Sequence, residues 1–100
     1  MLKKLEIPIQ VARICKTLSV DTRVKIVQML KRQALCVRAI ASRLKISESA
    51  VSQHLRILRD ADLVTPDKRG YWVHYQVNPE TMEQWREVIG ELLKQEKTGA

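Results

Sequence analysis

The sequence predicts a mainly α-helical fold in which four helices precede a β-hairpin and a fifth helix, the order of a winged helix-turn-helix. Two observations support this prediction: apolar residues recur with a helical period as far as about residue 60, and β-prone runs follow them. A chain of 100 residues, 45% of them hydrophobic, is long enough for one domain with its own core. We therefore expect residues 1–100 to form a single domain with a frayed end after about residue 95.

The first two helices are predicted from apolar stripes. The first follows Pro8 and ends near Ser19, because four apolar residues lie at i, i+3, i+4 and i+7: Val11, Ile14, Cys15 and Leu18. The second is expected to start at an Asp21 N-cap. Its apolar residues should face the core: Val24, Val27, Met29 and Leu30.

The third and fourth helices form the predicted helix-turn-helix. The third starts around Cys36 or Val37, and Ser47 caps the fourth, which continues to Asp60. Apolar residues at i, i+4 and i+7 should face the core: Val51, Leu55 and Leu58. Polar residues then gather on the opposite side: Ser49, Ser52, Gln53 and Arg56. Such a helix fits the major groove, where Gln pairs with adenine and Arg with guanine. The alternative is that this side is only the solvated face of an amphipathic helix.

The hairpin is predicted from β-prone runs at 63–65 and 72–77, which flank a Pro66–Gly70 turn. Lys68 and Arg69 would lie at its tip, within reach of DNA phosphates or the minor groove. Because strand side chains alternate, four apolar residues cannot all face the core: Trp72, Val73, Tyr75 and Val77. The last helix starts with an Asn78 cap, and its apolar stripe consists of Met82, Trp85, Ile89, Leu92 and Leu93.

The net charge of +7 is unevenly distributed along the chain. Residues 21–60 carry nine basic and three acidic side chains, whereas residues 80–100 carry three basic and five acidic ones. A basic middle with an acidic end indicates a polyanion-binding face, because clustered cations displace phosphate counterions. The alternative is a generally basic surface.

Several classes of protein are excluded or disfavoured. No apolar run reaches the roughly 20 residues that cross a bilayer, and no secretion signal follows Met1, so we expect a cytoplasmic protein without membrane partners. An enzyme is disfavoured, because the three glycines form no phosphate-binding loop and no nucleophile has a recognisable base. Two cysteines are too few for a disulfide framework.

Residues 9–79 resemble the arsenic- and metal-responsive repressors of the ArsR/SmtB family, through the segments Cys15–Val27, Val51–Arg59 and Gly70–Tyr75. The resemblance implies a homodimeric repressor that binds a palindromic DNA operator and leaves it when an inducer binds. The DNA-binding candidates are Ser47, Ser49, Ser52, Gln53, His54, Arg56, Lys68 and Arg69. In this family the first and last helices form the dimer interface, which here corresponds to Val11, Ile14, Leu18, Met82, Trp85, Ile89 and Leu92. The alternative is that these stripes belong to the core of a monomer.

The inducer site departs from the family pattern. Cys36 matches the first thiol of the Cys-Val-Cys motif, but Arg38 stands where the second belongs. A guanidinium is not a metal ligand, and an arsenite or soft-metal site needs converging thiolates. The family's alternative zinc site also looks absent, since residues 80–95 contain four glutamates and no His.

Three interpretations of Cys36 and Cys15 stay open. In the first, Cys15 is a small core residue and Cys36 is a remnant of the motif. In the second, Cys36 is a redox switch whose thiol is activated by the nearby Arg38. In the third, Cys36 keeps a residual arsenite or soft-metal site. His54 and His74 are interpreted as phosphate-contacting or packing residues. Two alternatives to an inducible repressor remain: a winged-helix module that binds protein, and a DNA-binding regulator with no working inducer site.

Overall fold

The structure, a computed structural model, describes residues 6–96. Its elements are α1 (Ile7–Thr17), α2 (Asp21–Arg32), β1 (Leu35–Cys36), α3 (Val37–Leu44), α4 (Glu48–Asp60), β2 (Val64–Arg69), β3 (Trp72–Val77) and α5 (Pro79–Leu93). This order confirms the mainly α-helical winged helix-turn-helix, with one strand more than predicted. The frayed end, predicted after about residue 95, falls almost wholly outside the described residues.

Polar caps begin two of the helices as predicted. The Ser47 hydroxyl accepts a hydrogen bond from the Ala50 backbone N–H at 3.0 Å, which fixes the start of α4. The Asn78 side-chain oxygen accepts from the Glu80 N–H at 3.1 Å, and its amide donates to the Asp62 carbonyl at 3.2 Å. Asn78 therefore starts α5 and also fastens it to the loop after α4.

The start of α2 corrects one prediction. Val20 occupies the N-cap position with no side-chain cap, and Asp21 is instead the first helical residue. There its carboxylate lies 3.7 Å from the Lys25 ammonium, one helical turn away. A carboxylate in the first turn still stabilises the helix through the macrodipole. Asp21 therefore marks the start of α2 as predicted, but one position later in the helix than the predicted N-cap.

The turn between α3 and α4 contains no glycine. Lys45 adopts the left-handed conformation there, with φ 56° and ψ 44°. This conformation ends α3, and the Ile46 N–H then donates to the Ala41 carbonyl at 3.2 Å. The two helices of the helix-turn-helix are therefore joined through a residue held in an unfavourable backbone region.

The three strands form an antiparallel sheet in the order β1-β3-β2. The predicted Pro66–Gly70 turn is wrong, because β2 continues to Arg69 and pairs with Trp72. Only Gly70, with φ 62°, and Tyr71 connect the strands. Proline cannot donate to a ladder, but β2 is an edge strand, so Pro66 is tolerated within it. Lys68 and Arg69 consequently lie in the strand just before the tip.

The core lies where α2, α3 and α4 pack against the sheet. Its fully buried side chains are Ile26, Ile40, Val51, Leu55, Leu58, Leu63 and Val64. The predicted inward face of α2 is confirmed at Val27 and Leu30, and Met29 packs against the core. It is wrong at Val24, which is 37% exposed. The buried Arg23 occupies the inner face of α2 instead.

Candidate nucleic-acid interface

The outer face of α4 carries the side chains predicted to read DNA. Burial of Val51, Leu55 and Leu58 turns the opposite side of the helix to solvent. All four residues predicted for that side are exposed: Ser49, Ser52, Gln53 and Arg56. Their donors and acceptors are therefore free to reach base edges in a major groove.

A groove of about 250 Å³ separates α4 from the sheet. It is lined by Ser52, Leu55, Arg56, Arg59 and Tyr75. Arg59 is absent from the DNA-binding candidates, although Ser52, Arg56 and Arg59 follow the i, i+4, i+7 spacing of one helix face. That spacing could have identified it. Two arginines therefore line the groove between the helix and the wing.

The wing, formed by β2, β3 and their turn, presents cations and aromatic rings. Lys68 and Arg69 are both exposed. The Arg69 Nε lies 3.0 Å from a carboxylate oxygen of Asp67, so part of its charge is already balanced. Tyr71 is fully exposed and Trp72 is 53% exposed. Tyr75 and Val77, farther along β3, pack against the core, which confirms that the apolar residues of this strand divide between two environments.

His54 differs from the other predicted contacts on α4. It is half-buried, and its Nδ1 is enclosed without a hydrogen-bond partner among residues 6–96. Burial, reinforced by the positive charge of Arg23, lowers the pKa of His54 below its usual value. A neutral imidazole facing Arg23 is better suited to packing than to binding phosphate as a cation.

The two cysteines lie in different parts of the molecule. Cys36 is partly buried in β1, opposite His74 of β3, and Cys15 is exposed on α1. The structure therefore contradicts the interpretation of Cys15 as a core residue of the single chain. Across residues 6–96, no group of three or more His, Cys, Asp or Glu side chains is arranged to hold a metal ion. A three-thiolate site does not fit a single chain, because the sequence has two cysteines and they lie on different elements.

An apolar groove of about 790 Å³ runs along α5, bordered by Ile14 and Leu18 at the end of α1 and by Val27 and Lys31 of α2. Of the predicted dimer-interface residues, Ile14 is buried and Leu92 is exposed, whereas the others are half-buried: Val11, Leu18, Met82, Trp85 and Ile89. Leu93, beside Leu92, is 71% exposed. A connected apolar surface of this kind is typical of a protein contact.

One carboxylate of α5, that of Glu83, is paired with a guanidinium on the same helix. Arg86 donates to both carboxylate oxygens of Glu83, at 3.0 and 2.6 Å. Hydrogen bonding from Arg86 lowers the pKa of Glu83.

No helix within residues 6–96 is long and apolar enough to cross a membrane.

An exposed polar helix flanked by a basic wing defines a winged helix-turn-helix protein of the nucleic-acid-binding class. Residues 21–65 match the bacterial regulatory protein, arsR family. The chain is 35% identical over 97 residues to the arsenical resistance operon repressor of Escherichia coli, covering 94% of this chain and 80% of that one. It belongs to the ArsR family, whose members are transcriptional regulators and not enzymes.

Two further similarities agree with this assignment. The SmtB homolog of Synechocystis, a transcriptional repressor, is 39% identical over 84 residues, covering 83% of this chain and 64% of that relative. The solved structure of a possible transcriptional regulator for arsenical resistance superposes with a TM-score of 0.73 at 34% identity, covering 80% of this chain and 83% of that one. The chain spans 55% to 64% of the length of three curated relatives that it matches.

Proposed function

We propose that this protein is a transcriptional repressor that binds a palindromic DNA operator as a homodimer and is released by an inducer acting at Cys36. The observation that carries the proposal is the exposed face of α4, where Gln53 and Arg56 project beside the groove shared with the wing. Relatives in the same family are named as repressors of resistance operons, which supports the same function.

The proposed roles follow from side-chain chemistry. Gln53 and Arg56 read adenine and guanine edges in the major groove. Ser49, Ser52 and the neighbouring Arg59 hold the phosphates on either side, and Lys68 holds the backbone farther along. Ser47 contributes by positioning α4, since its hydroxyl is engaged in the cap. The half-buried His54 contributes to packing on the inner side of α4 and makes no contact with DNA.

Homodimerisation is supported by the apolar surface of α1 and α5. A single chain leaves Leu92 and Leu93 exposed beside the half-buried Trp85 and Ile89. Burying this surface against a second copy releases water from apolar groups. It also places the two copies of α4 about a twofold axis, which is the symmetry that a palindromic operator matches.

The DNA-binding proposal is tested by operator affinity and base preference. Gln53→Ala and Arg56→Ala should each weaken binding to the preferred sequence by about 1–3 kcal/mol and relax the preference at one position. A matched control is the pair Gln28→Ala and Arg32→Ala on the exposed side of α2, which removes the same groups and should leave base preference unchanged. Unchanged operator binding in the Gln53→Ala, Arg56→Ala double variant would overturn the assignment of α4.

A winged-helix module that binds protein is the second candidate, favoured by the exposed Tyr71 and Trp72. Ionic strength separates the two. Binding to DNA should weaken steeply between 50 and 200 mM salt, by about 10³–10⁵ for 6–10 phosphate contacts, whereas binding through an apolar surface should hardly change.

The inducer is proposed to act at Cys36 because this thiol lies in β1 and is also the residue that precedes α3. A ligand or an oxidation there acts on the first helix of the helix-turn-helix. Operator release should be measured with arsenite, antimonite, zinc, cadmium, peroxide and polysulfide, in the wild type and in Cys36→Ser. Release of the wild type alone would support the proposal. Release of neither protein by any of these agents would leave a DNA-binding regulator without a working inducer site.

A further inference from the structure

A basic groove of about 720 Å³ lies between α2 and the end of α3. Its cationic lining residues are Lys25, Lys31, Arg32 and Arg43, and its other lining residues are neutral. No carboxylate of residues 6–96 therefore lines this surface, which we name the α2–α3 groove. It shares no lining residue with the groove between α4 and the wing, so it is separate from the surface that we assign to DNA.

The ends of two helices explain part of this arrangement. Lys31 and Arg32 lie in the last turn of α2, and Arg43 lies in the last turn of α3, where a cation complements the macrodipole. That effect accounts for each residue separately. It does not account for their convergence, together with Lys25, on one concave surface. Converging like charges repel one another, and an anion placed among them removes that repulsion.

Most of this charge has no carboxylate partner among the described residues. The Lys25 ammonium lies 3.7 Å from an Asp21 carboxylate oxygen, and the two side chains are 58% and 83% exposed. An ion pair as exposed as this one contributes little. No ion pair within residues 6–96 includes Lys31, Arg32 or Arg43. Three positive charges therefore border the groove without compensation from that part of the chain.

Gln33 holds the guanidinium of Arg43 in a defined orientation. In the amide orientation that its surroundings favour, the Gln33 side-chain oxygen accepts hydrogen bonds from both terminal nitrogens of Arg43, each at 3.1 Å. The Nε–H and an outer N–H then remain as a fork on another edge of the guanidinium. Such a fork binds two oxygens of one phosphate group.

We propose that the α2–α3 groove binds a compact anion with several linked phosphate groups, either an inorganic polyphosphate or the triphosphate of a nucleotide. Arg43 holds one phosphate through its fork, and Arg32, Lys25 and Lys31 balance the charge of the others. A single phosphate carries only about −1.5 to −2, which is too little to match four cations. The volume of the groove, about 720 Å³, lies within the range of about 300–1,000 Å³ that is usual for small-molecule sites.

The site goes beyond the proposed function, but its regulatory meaning rests on that function. An anion held by Arg32 of α2 and Arg43 of α3 would join the first helix of the helix-turn-helix to the helix before it. It would also cancel part of the positive charge of residues 21–60, the segment that attracts DNA. Operator affinity should therefore fall when the groove is filled.

The first test is calorimetric titration of the DNA-free protein with tripolyphosphate at constant ionic strength. The wild type should bind one anion per chain, and Arg32→Gln and Arg43→Gln should each lose about 10–100-fold in affinity, which corresponds to one charge-assisted hydrogen bond. Arg43→Lys keeps the charge but lacks the fork, so it should lose at least about threefold. Monophosphate should bind the wild type more than about tenfold more weakly than tripolyphosphate.

Arg13→Gln and Arg56→Gln are the matched controls, because each removes an exposed arginine from another surface. Both should stay within about twofold of the wild type, and circular dichroism verifies that every variant folds. Losses in these controls equal to those in Arg32→Gln and Arg43→Gln would overturn the site, since attraction would then be diffuse. Absence of binding to the wild type would overturn it as well.

The same titration with ATP distinguishes the two sources of the phosphate chain. Equal affinities for ATP and tripolyphosphate would support a site for inorganic polyphosphate, and tighter binding of ATP would support a nucleotide site. The phosphates of DNA beside the operator share this chemistry, so operator duplexes should be compared with and without about 10 bp of extra DNA at each end. If Arg43→Gln weakens binding to the longer duplex alone and the wild type binds no tripolyphosphate, the groove holds DNA and the proposal is overturned.

Operator binding separates this inference from the proposed function. If tripolyphosphate binds through Arg32 and Arg43 but the protein binds no DNA, the site stands and the proposed function fails. If the protein binds operator but no tripolyphosphate, the anion site is wrong and the DNA-binding function stands. Saturating tripolyphosphate should weaken operator binding by more than about tenfold in the wild type and by less than about threefold in Arg43→Gln. Equal weakening in both proteins would overturn the regulatory role.

Discussion

The Nε of Arg23 donates a hydrogen bond to the backbone carbonyl of Thr17 over 2.6 Å. The same guanidinium reaches the Lys16 carbonyl at 3.3 Å, and Arg23 is only 8% exposed. The last carbonyls of a helix have no partner within the helix, and a cation at that end also complements the macrodipole. Arg23, a residue of α2, therefore caps the C-terminal end of α1.

Arg23→Met should lower the free energy of unfolding by about 1.5–3 kcal/mol, because hydrogen bonds from a charged donor contribute this much and methionine removes the donor to the Thr17 carbonyl. Urea denaturation measures the change. Arg32→Met removes an exposed guanidinium from the same helix and should cost less than about 0.5 kcal/mol. Equal losses in the two variants would contradict the role of Arg23.

His54 predicts a pH dependence of stability. Its folded-state pKa lies below the 6.5 of the free side chain, because of burial and then Arg23. As pH falls through 6.5, the unfolded chain takes up the proton first, so stability present above that pH is lost on acidification. The free energy of unfolding should therefore decrease from pH 7.5 to 5.5 in the wild type and decrease less in His54→Gln. Glu83 titrates below 4.5, outside this range.

A control for this experiment is Ser49→Ala, which changes an exposed residue on the same helix and should keep the wild-type pH dependence. An unaltered slope in His54→Gln would show that another group titrates with folding between pH 5.5 and 7.5.

The wing predicts opposite effects of two neighbouring residues. Lys68→Ala should weaken binding to all DNA sequences alike and reduce the salt slope by about 1, since it removes one phosphate contact. Asp67→Asn should strengthen that binding, because it frees the Arg69 guanidinium from its 3.0 Å ion pair. Fluorescence titrations with operator and scrambled DNA at several salt concentrations measure both. Weaker binding by Asp67→Asn would show that the ion pair orients Arg69 for its contact.

If the apolar groove is the dimer interface, a charge introduced there should disrupt the dimer. Ile89→Glu places a carboxylate within the apolar groove along α5 and should convert the dimer to a monomer, as measured by sedimentation velocity. Gln84→Glu adds the same charge at an exposed position of α5 and should leave the dimer intact. Circular dichroism confirms that both variants fold. A monomeric wild type would contradict the proposed dimer.

Sequence reasoning located α4 because everything that defines it is local. The Ser47 cap and the spacing of Val51, Leu55 and Leu58 lie within one stretch of chain, so its exposed face could be deduced before any tertiary contact was known. For the same reason the Asn78 start of α5 was predicted correctly. The error at Asp21 is a shift of one position at a helix start, where local signals are least sharp.

The features that were missed depend on distant partners. Strand β1 has only two residues, too few for a period, and its partner Tyr75 is forty residues from Leu35. Burial of Arg23 depends on where the end of α1 packs, which no pattern within α2 reveals. Pro66 was interpreted as the end of a strand, because proline cannot donate a hydrogen bond to a neighbouring strand. The strand continues through it because β2 lies at the edge of the sheet, which depends on the arrangement of all three strands. The pairing of Cys36 with His74 follows from β1 and was equally inaccessible.

The sheet order divides the wing into a constrained strand and a permissive tip. β3 is bonded along both edges, so deleting one of its residues would exchange Tyr75 and His74 between the core and the outer face. The Gly70–Tyr71 connection lies beyond the last strand pair, Arg69 with Trp72, and both of its residues are exposed. Residues inserted at this tip would disturb the fewest contacts, which makes it the natural point for attaching a reporter group.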